Sequence, residues 1–181
     1  MTPPLETARL LLQPLQLSDA EQVQVLFPKW EIVQYLTNRV PWPYPPDGAE
    51  TFYREAALPA IERGEEWDWT LRLKVAPGQV IGSIRLMTIG PDNRGFWLGL
   101  PWQRQGLMSE ACEIVTGYWF DVLRFPVLRT SKAAVNIASR RISEKQGMRI
   151  VGVEERDYVC GPLPAEIWEI TADEWHARDN V

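Results

Sequence analysis

The stretch from Gly95 to Leu123 constrains the fold most. GFWLGL (Gly95 to Leu100) is a short apolar run that reads as a strand and ends at Pro101. After Gln103, Arg104, Gln105 and Gly106, apolar residues recur at Met108, Ala111/Cys112, Val115, Tyr118/Trp119 and Val122. That is the spacing of a helix with one buried stripe, and Pro126 stops it. A strand that feeds straight into an amphipathic helix must lay that helix against a sheet. The junction exposes the unpaired N–H groups of the first helical turn, which together with the helix dipole attract an anion. Gly106 lets a backbone approach such an anion closely, and the first acid, Glu110, lies beyond it. A phosphate site and an ordinary strand-to-helix turn both fit this pattern. No G-K-[ST] follows and G-x-G-x-x-G is missing, which argues against a P-loop and a Rossmann site.

The remaining chain alternates accordingly. Ala8 to Leu15 reads as a strand. A capping box at Ser18-Asp-Ala-Glu21 predicts a helix toward Phe27, and a short helix fits Glu31 to Leu36. NRVPWPYPPDG (Asn38 to Gly48) is an ordered loop or extended segment, because its prolines donate no ladder or helix bond. Ala49 to Glu62 is helical with a break or kink at Pro59. Trp67 to Val75 and Gln79 to Ile89 form a hairpin around Pro77-Gly78. Val127 to Val135, Arg149 to Tyr158 and Glu166 to Thr171 are strands. A helix lies between Asn136 as N-cap and Gly147 as stop, and Asp173 to Ala177 is a terminal helical turn. Hairpins followed by alternation predict an α/β (α+β) chain with a mixed, mostly antiparallel sheet and helices on both faces. Residues 1–181 are expected to form one domain.

Composition narrows the function. The net charge is −5 over 181 residues, which argues against general nucleic-acid binding. The charge is uneven: Arg124, Arg129, Lys132, Arg140, Arg141, Lys145 and Arg149 face a single acid, Glu144, between Val122 and Val153. Such a block either holds a discrete polyanion or is a set of solvated helix faces. There is no apolar run long enough to span a membrane and no signal pattern, so the expected location is cytoplasmic. The sole histidine, His176, and the isolated Cys112 and Cys160 offer neither a catalytic triad nor a zinc cluster, so no metal is expected. Oligomeric state is open between monomer and homodimer.

Five stretches in order resemble the GNAT superfamily of N-acetyltransferases, in its RimJ/RimL-type branch. They are ETARLLLQPLQLSDAE (Glu6 to Glu21), PWPYP (Pro41 to Pro45), GFWLGLPW (Gly95 to Trp102), QRQGLM (Gln103 to Met108) and NIASRRISEKQG (Asn136 to Gly147). The resemblance covers nearly the whole chain. It implies a central sheet of about six to seven strands, splayed in the middle, with the pantetheine arm of acetyl-CoA between the parted strands. Gly99 and Pro101 offer a cause for the splay, because neither supports strand pairing.

By this resemblance the backbone at Leu98 and Leu100 pairs with pantetheine. Backbone N–H groups of Gln103, Arg104, Gln105, Gly106, Leu107 and Met108 hold the pyrophosphate. Arg140, Arg141, Lys145 or Arg104 reaches the 3′-phosphate, Asn136 contacts the pantetheine, and Ser139 hydrogen-bonds or protonates the departing thiolate. Two positions depart from the family. Its loop usually ends in Gly or Ala where Met108 stands, so that side chain either enters the core or crowds the cofactor. Many members place a tyrosine acid where this chain has Ser143.

The implied reaction moves an acetyl group to a primary amine, either a peptide N-terminus or a small molecule, by direct attack in a ternary complex. A non-catalytic acyl-CoA-binding module is the alternative, and a nucleotide-phosphate binder a second one. Trp42, Tyr44, Trp69 and Trp97 are candidates for an aromatic acceptor groove, which suits a cationic amine. Core packing accounts for half or more of the tryptophans. Asp68, Glu154, Glu155, Asp157 and Tyr158 are candidate bases.

Overall fold

Apolar residues alternate along the predicted strands, so each strand has two unlike faces, and helices cover both. The computed structural model describes residues 1–178. All seven predicted strands form, with one two-residue addition at the N-terminus. They are β1 (Leu5–Glu6), β2 (Leu10–Pro14), β3 (Glu66–Leu73), β4 (Gly82–Met87), β5 (Arg94–Leu98), β6 (Val127–Ala133), β7 (Arg149–Tyr158) and β8 (Gly161–Thr171). Hydrogen bonding divides them into a five-stranded sheet, β1-β2-β3-β4-β5, and a three-stranded sheet, β6-β8-β7. Every paired neighbour is antiparallel.

The helices are α1 (Ala20–Leu26), α2 (Trp30–Val33), α3 (Gly48–Phe52), α4 (Leu58–Glu62), α5 (Leu107–Gly117), α6 (Ile137–Lys145) and α7 (Ala172–Ala177). α3 runs into α4 through a π-helical turn, Tyr53–Ala57, where Leu58 N–H bonds Tyr53 O. The widened turn comes just before Pro59, which has no N–H for the regular ladder. One predicted start is displaced. The carboxylate that caps the segment before α1 is Asp19, which accepts from the Gln16 N–H at 3.3 Å. Ser18 stays exposed. Asp19 is buried because Thr70 donates to it at 3.1 Å and Arg72 at 2.5 Å, which pins the start of α1 to β3.

One sheet face carries Leu12, Leu71, Ile84 and Leu98, and α5 packs on it through Met108, Ala111, Cys112 and Val115. Full burial of each large side chain stabilises the fold by about 1.5–3 kcal/mol. The opposite face is covered by α1 to α4 through Val23, Phe27, Val33, Ala49, Tyr53 and Ala57. Alternation therefore sends Asp68, Thr70 and Ser83 toward that second layer, and all three are buried there.

The two sheets meet at β5 and β6. Asn93 lies beside Arg129, and the Lys132 ammonium lies over the Phe96 ring, so these strands run in the same direction. They do not zip together. Met87 N–H bonds Asn93 O at 2.9 Å and Gly99 N–H bonds Ile81 O at 2.8 Å. Alternation in an antiparallel ladder then turns the N–H and C=O of Phe96 and Leu98 away from β4, toward β6. By the same rule Arg129, Ser131 and Ala133 face β5, because Ala134 and Pro126 bond to β8 and its end.

Side chains intercept those groups. Asn93 Oδ1 accepts the Arg129 N–H at 2.8 Å and Asp92 Oδ1 accepts the Ser131 N–H at 2.6 Å. Asn136 N–H takes Ala133 O at 2.8 Å. A V-shaped gap opens beyond Asn93. The expected cause therefore needs correction. Gly99 keeps its bond to β4, and Pro101 lies past the strand in a 3₁₀ turn, Leu100–Trp102. The wedge is the Asp92-Asn93 pair.

Asp92 also accepts from the Ser131 hydroxyl at 2.7 Å and pairs with Arg156 at 3.0 Å. Replacing it strands donors of β6 at the gap. Asp92→Ala is expected to cost about 1–3 kcal/mol in urea denaturation and to speed hydrogen exchange at the Ser131 amide. An unchanged Ser131 exchange rate would show that the wedge does not hold β6.

Candidate active site

The gap between β5 and β6 opens toward the N-termini of α5 and α6. On its β5 side the Leu98 carbonyl accepts Gln103 Nε2 at 2.8 Å, and Gln105 Nε2 bonds Pro101 O at 2.9 Å. These two side chains brace the loop from within. Leu100, placed in the 3₁₀ turn, does not extend the gap edge as expected; Phe96 takes that place, one pleat earlier. Gly99 makes the sharp exit possible, because a Cβ there would meet the Trp102 ring at 2.8 Å and Ile81 O at 3.2 Å.

Gly106 has φ +77° at the N-cap of α5, in the left-handed region, and Arg104 has φ +61°. No side chain caps α5, so the N–H groups of its first turn are open to an anion. The first acid after this turn is turned aside. Glu110 is bonded by the Arg9 side chain at 2.7 Å, by the Arg9 N–H at 2.8 Å and by the Thr7 hydroxyl. Burial pushes its carboxyl up, but the bonds from Thr7 and Arg9 outweigh that and hold it below the usual range. Leu107 and Met108 are buried in the core against the sheet, so Met108 enters the core and leaves the loop's outer side clear.

Gly106, Ser109, Ile142 and Lys145 share a cavity of about 620 Å³ between α5 and α6. Arg9 and Arg178 also line it, but each is paired to a glutamate, Glu110 and Glu113. Lys145 has no ion-pair partner among the described residues. Arg140 is directed elsewhere: it meets Glu166 at 2.8 Å and the Ala134 carbonyl at 3.3 Å. Arg104 and Arg141 are exposed.

Asn136 Oδ1 accepts the Ser139 N–H at 3.2 Å, which fixes the first turn of α6. The Ser139 hydroxyl is half-buried and makes no hydrogen bond among the described residues. Ser143, one turn on, is fully buried with its hydroxyl unpaired.

The aromatic candidates separate. Tyr44 and Trp97 each pack edge-on to Phe27 with ring centroids 5.2 Å apart, on the α1–α4 side. Trp42 is exposed and lies 5.6 Å from Trp30. Trp69 does not join them. It points to the α5 face, is fully buried, packs on Tyr118 and donates its Nε1–H to Pro3 O at 2.6 Å. Strand parity had already assigned Trp69 and Trp97 to opposite faces, since Trp69 pairs with Ile84 and Trp97 with Ser83.

Asp68 occupies the same layer as Trp97. It is buried, and the Ser83 hydroxyl donates to it at 2.9 Å. Burial pushes its carboxyl up to about 7, against the pull of Arg85 and Ser83. Tyr158 is buried with its hydroxyl unpaired, and burial pushes that hydroxyl up to about 12. Phe27 and Tyr53 were not singled out from the sequence, and Lys132 only as one member of the basic block. Alternation along β6 marks Lys132, because Leu128 and Thr130 on the same face are buried with it.

Two antiparallel sheets parted between parallel strands, with an uncapped helix end at the mouth, form a cleft that fits an acyltransferase. The family comparison agrees: residues 9–149 match the acetyltransferase (GNAT) domain, and the chain belongs to that family. It is an acetyltransferase. No curated protein sequence matches the chain.

Solved structures share the fold at low identity. A ribosomal-protein-S5-alanine acetyltransferase from Vibrio fischeri superposes with TM-score 0.80 at 14% identity, over 96% of this chain and 98% of that one. A ribosomal L7/L12 alpha-N-protein acetyltransferase, RimL, in complex with coenzyme A gives 0.77 at 16%, over 95% and 99%. The microcin C7 self-immunity acetyltransferase MccE, in complex with acetyl-CoA and AMP, gives 0.76 at 14%, over 91% and 93%. No helix among the described residues is long and apolar enough to cross a membrane.

The raised Asp68 group makes a testable demand on stability. The unfolded carboxyl releases its proton near pH ~4, whereas the folded one keeps it to about 7. Between those values the folded state binds the extra proton, so stability falls as pH rises and levels off above the window. Asp68→Asn is expected to abolish most of that fall when urea midpoints are compared at about pH 5 and about pH 8. A parallel fall in both proteins would place the titration elsewhere.

Proposed function

We propose that this acetyltransferase takes its acetyl group from acetyl-CoA and passes it to a primary amine by direct attack in a ternary complex. A protein or peptide N-terminus is the favoured acceptor, with a small-molecule amine next. The observation that carries the reading is the gap itself: Phe96 and Leu98 turn backbone groups into it, and it opens on both the α5 N-terminus and Ser139. The solved RimL structure holds coenzyme A on the same fold, which supports the cofactor assignment.

The residues present fit the cofactor. The β5 backbone groups at Phe96 and Leu98 suit the amides of a pantetheine arm. The open N–H groups of α5 suit a pyrophosphate, with Gly106 allowing close approach. Lys145, across the shared cavity, supplies a cation for the terminal phosphate, with Arg104 and Arg141 exposed nearby.

Acetyl-CoA supplies an activated acetyl thioester. The gap-facing N–H groups stabilise the charge that builds on the carbonyl oxygen as an amine attacks. The Ser139 hydroxyl, held by the Asn136 cap but without a partner of its own, hydrogen-bonds the sulfur as it leaves. A thiol with pKa near ~8.5 needs only such modest help. The amine must first lose a proton, and the buried carboxyl of Asp68 is the candidate acceptor on the acceptor side, because burial keeps the Tyr158 hydroxyl protonated. Tyr44, Trp97 and Phe27 form an aromatic wall there, with Trp42 at its rim, suited to a cation.

Acetyl-CoA titrated into the protein, followed by heat and tryptophan fluorescence, is expected to show micromolar binding that ATP and NAD do not displace. Gly106→Asp is expected to abolish that binding by placing a charge at the anion site. Once an amine acceptor has been found by screening, Ser139→Ala is expected to lower kcat by about 10²-fold with little change in the acetyl-CoA KM. Full activity in Ser139→Ala would remove it from the reaction.

A further inference from the structure

A second amine is already built into the gap. Lys132 follows Arg129 and Ser131 along β6, just past the point where the wedge parts the strands. Its residue is only 4% exposed. Its Nζ lies 5.5 Å from the centre of the Phe96 ring, across the gap on β5. Among the described residues it has no hydrogen-bond or ion-pair partner.

The titratable groups around it are few. Arg94, on β5, is 2% exposed and bonded only to neutral groups: the Thr116 hydroxyl, Gln146 Oε1 at 2.8 Å and Met148 Sδ at 3.9 Å. Cys112, on α5, is a buried free thiol. Asp92, in the β4–β5 connection, is committed to Ser131 and Arg156. A buried lysine beside a second cation, with no ion-pair partner among the described residues, gives up its proton far more readily than an exposed one. Burial and then Arg94 push its ammonium down to about 7. That environment turns a lysine into a nucleophile.

We propose that Lys132 is a self-acetylation site, the chain's own acyl acceptor for acetyl-CoA. This inference rests on the cofactor reading above, because the gap that Lys132 crosses is the one assigned to the thioester arm. The neutral Nζ attacks the thioester carbonyl, a C–N bond forms and the C–S bond breaks. The proton lost by the amine goes to the thiolate, and coenzyme A leaves as the thiol. The product is a stable amide, so the event happens once per chain. It replaces a titrating amine beside Phe96 with a larger neutral group inside the gap, which makes the modification self-limiting for later cofactor binding.

The test needs no knowledge of the external acceptor. Purified, deacetylated protein is mixed with acetyl-CoA alone, and intact mass, peptide mapping and free thiol are followed together. In parallel, calorimetry measures acetyl-CoA binding to the wild type, Lys132→Met and Lys132→Arg. The expected result is the gain of one acetyl group at Lys132 with one equivalent of thiol released. At neutral pH the larger free-base fraction alone favours Lys132 over an exposed lysine on the order of 10³-fold. Its rate should level off above about pH 8, while surface lysines keep accelerating. Both variants should still bind acetyl-CoA but lack the fast phase.

Binding without acetylation at Lys132 overturns the proposal and leaves the cofactor reading standing. So does acetyl incorporation that is spread over surface lysines and equally fast in Lys132→Met. Failure of the wild type to bind acetyl-CoA overturns both.

Discussion

The pairing that does not happen between β5 and β6 governs this molecule. Two adjacent strands with free edges zip together unless something else satisfies their N–H and C=O groups. Here Asp92 and Asn93 supply side-chain acceptors to alternate amides of β6, Arg129 and Ser131. The next gap-facing carbonyl, Ala133, is taken by the turn into α6. Most of the gap-facing groups of β6 are thereby taken before β5 can pair with them. β5 keeps the groups of Phe96 and the Leu98 N–H turned into an open wedge, while the Leu98 carbonyl is taken by Gln103. Arg156 secures the wedge from β7 by pairing with Asp92, so the three-stranded sheet helps to hold the gap open.

The site then follows from what borders the gap. The strand that forms one wall ends at Leu98 and reverses through Gly99, where only hydrogen fits under the Trp102 ring. The chain re-enters at Gly106 with an uncapped helix, and α5 anchors that helix end through the buried Leu107, Met108, Ala111 and Cys112. The buried first-turn side chains hold the open first-turn amides in a fixed direction. Across the gap, Asn136 spends its side chain on the Ser139 amide, and the Ser139 hydroxyl is left uncommitted. The two faces of the five-stranded sheet divide the labour. The α5 face is apolar apart from Arg94 and its partner Thr116, whereas the α1–α4 face buries Asp68, Thr70, Ser83 and Asp19.

Polar groups buried without full pairing are expensive, and some of them lie near the parted strands. Ser143, Tyr158 and the Lys132 amine are each buried and lack a hydrogen-bond partner among the described residues. Ser143 lies on α6 one turn from Ser139, and Lys132 lies on β6 within the gap. Natural chains tend to break local rules of satisfaction at functional sites.

Hydrophobic period and punctuation in the sequence determined the element order. The seven strands, the α5 helix and its single buried stripe, the Asn136 cap of α6 and the turn at Gly106 are all signalled by patterns within a few residues. Local chemistry suffices for these because each depends on backbone donors, side-chain spacing and turn conformation. The burial of Met108 was legible in the same way, as a member of the helical stripe. The capping start before α1 was misplaced because Asp19 answers to Thr70 and Arg72, about fifty residues away in sequence. Only the tertiary structure decided where the strands part, which aromatic residues share a wall and which titratable groups lose their solvent. Asp92 and Asn93 look like ordinary turn residues until β6 arrives beside them. Trp69 looks like Trp97 until the sheet gives them opposite faces, and Lys132 looks like one more member of a basic block until β5 closes over it. Each of those outcomes depends on which segment is buried against which, and that is a property of the assembled layers.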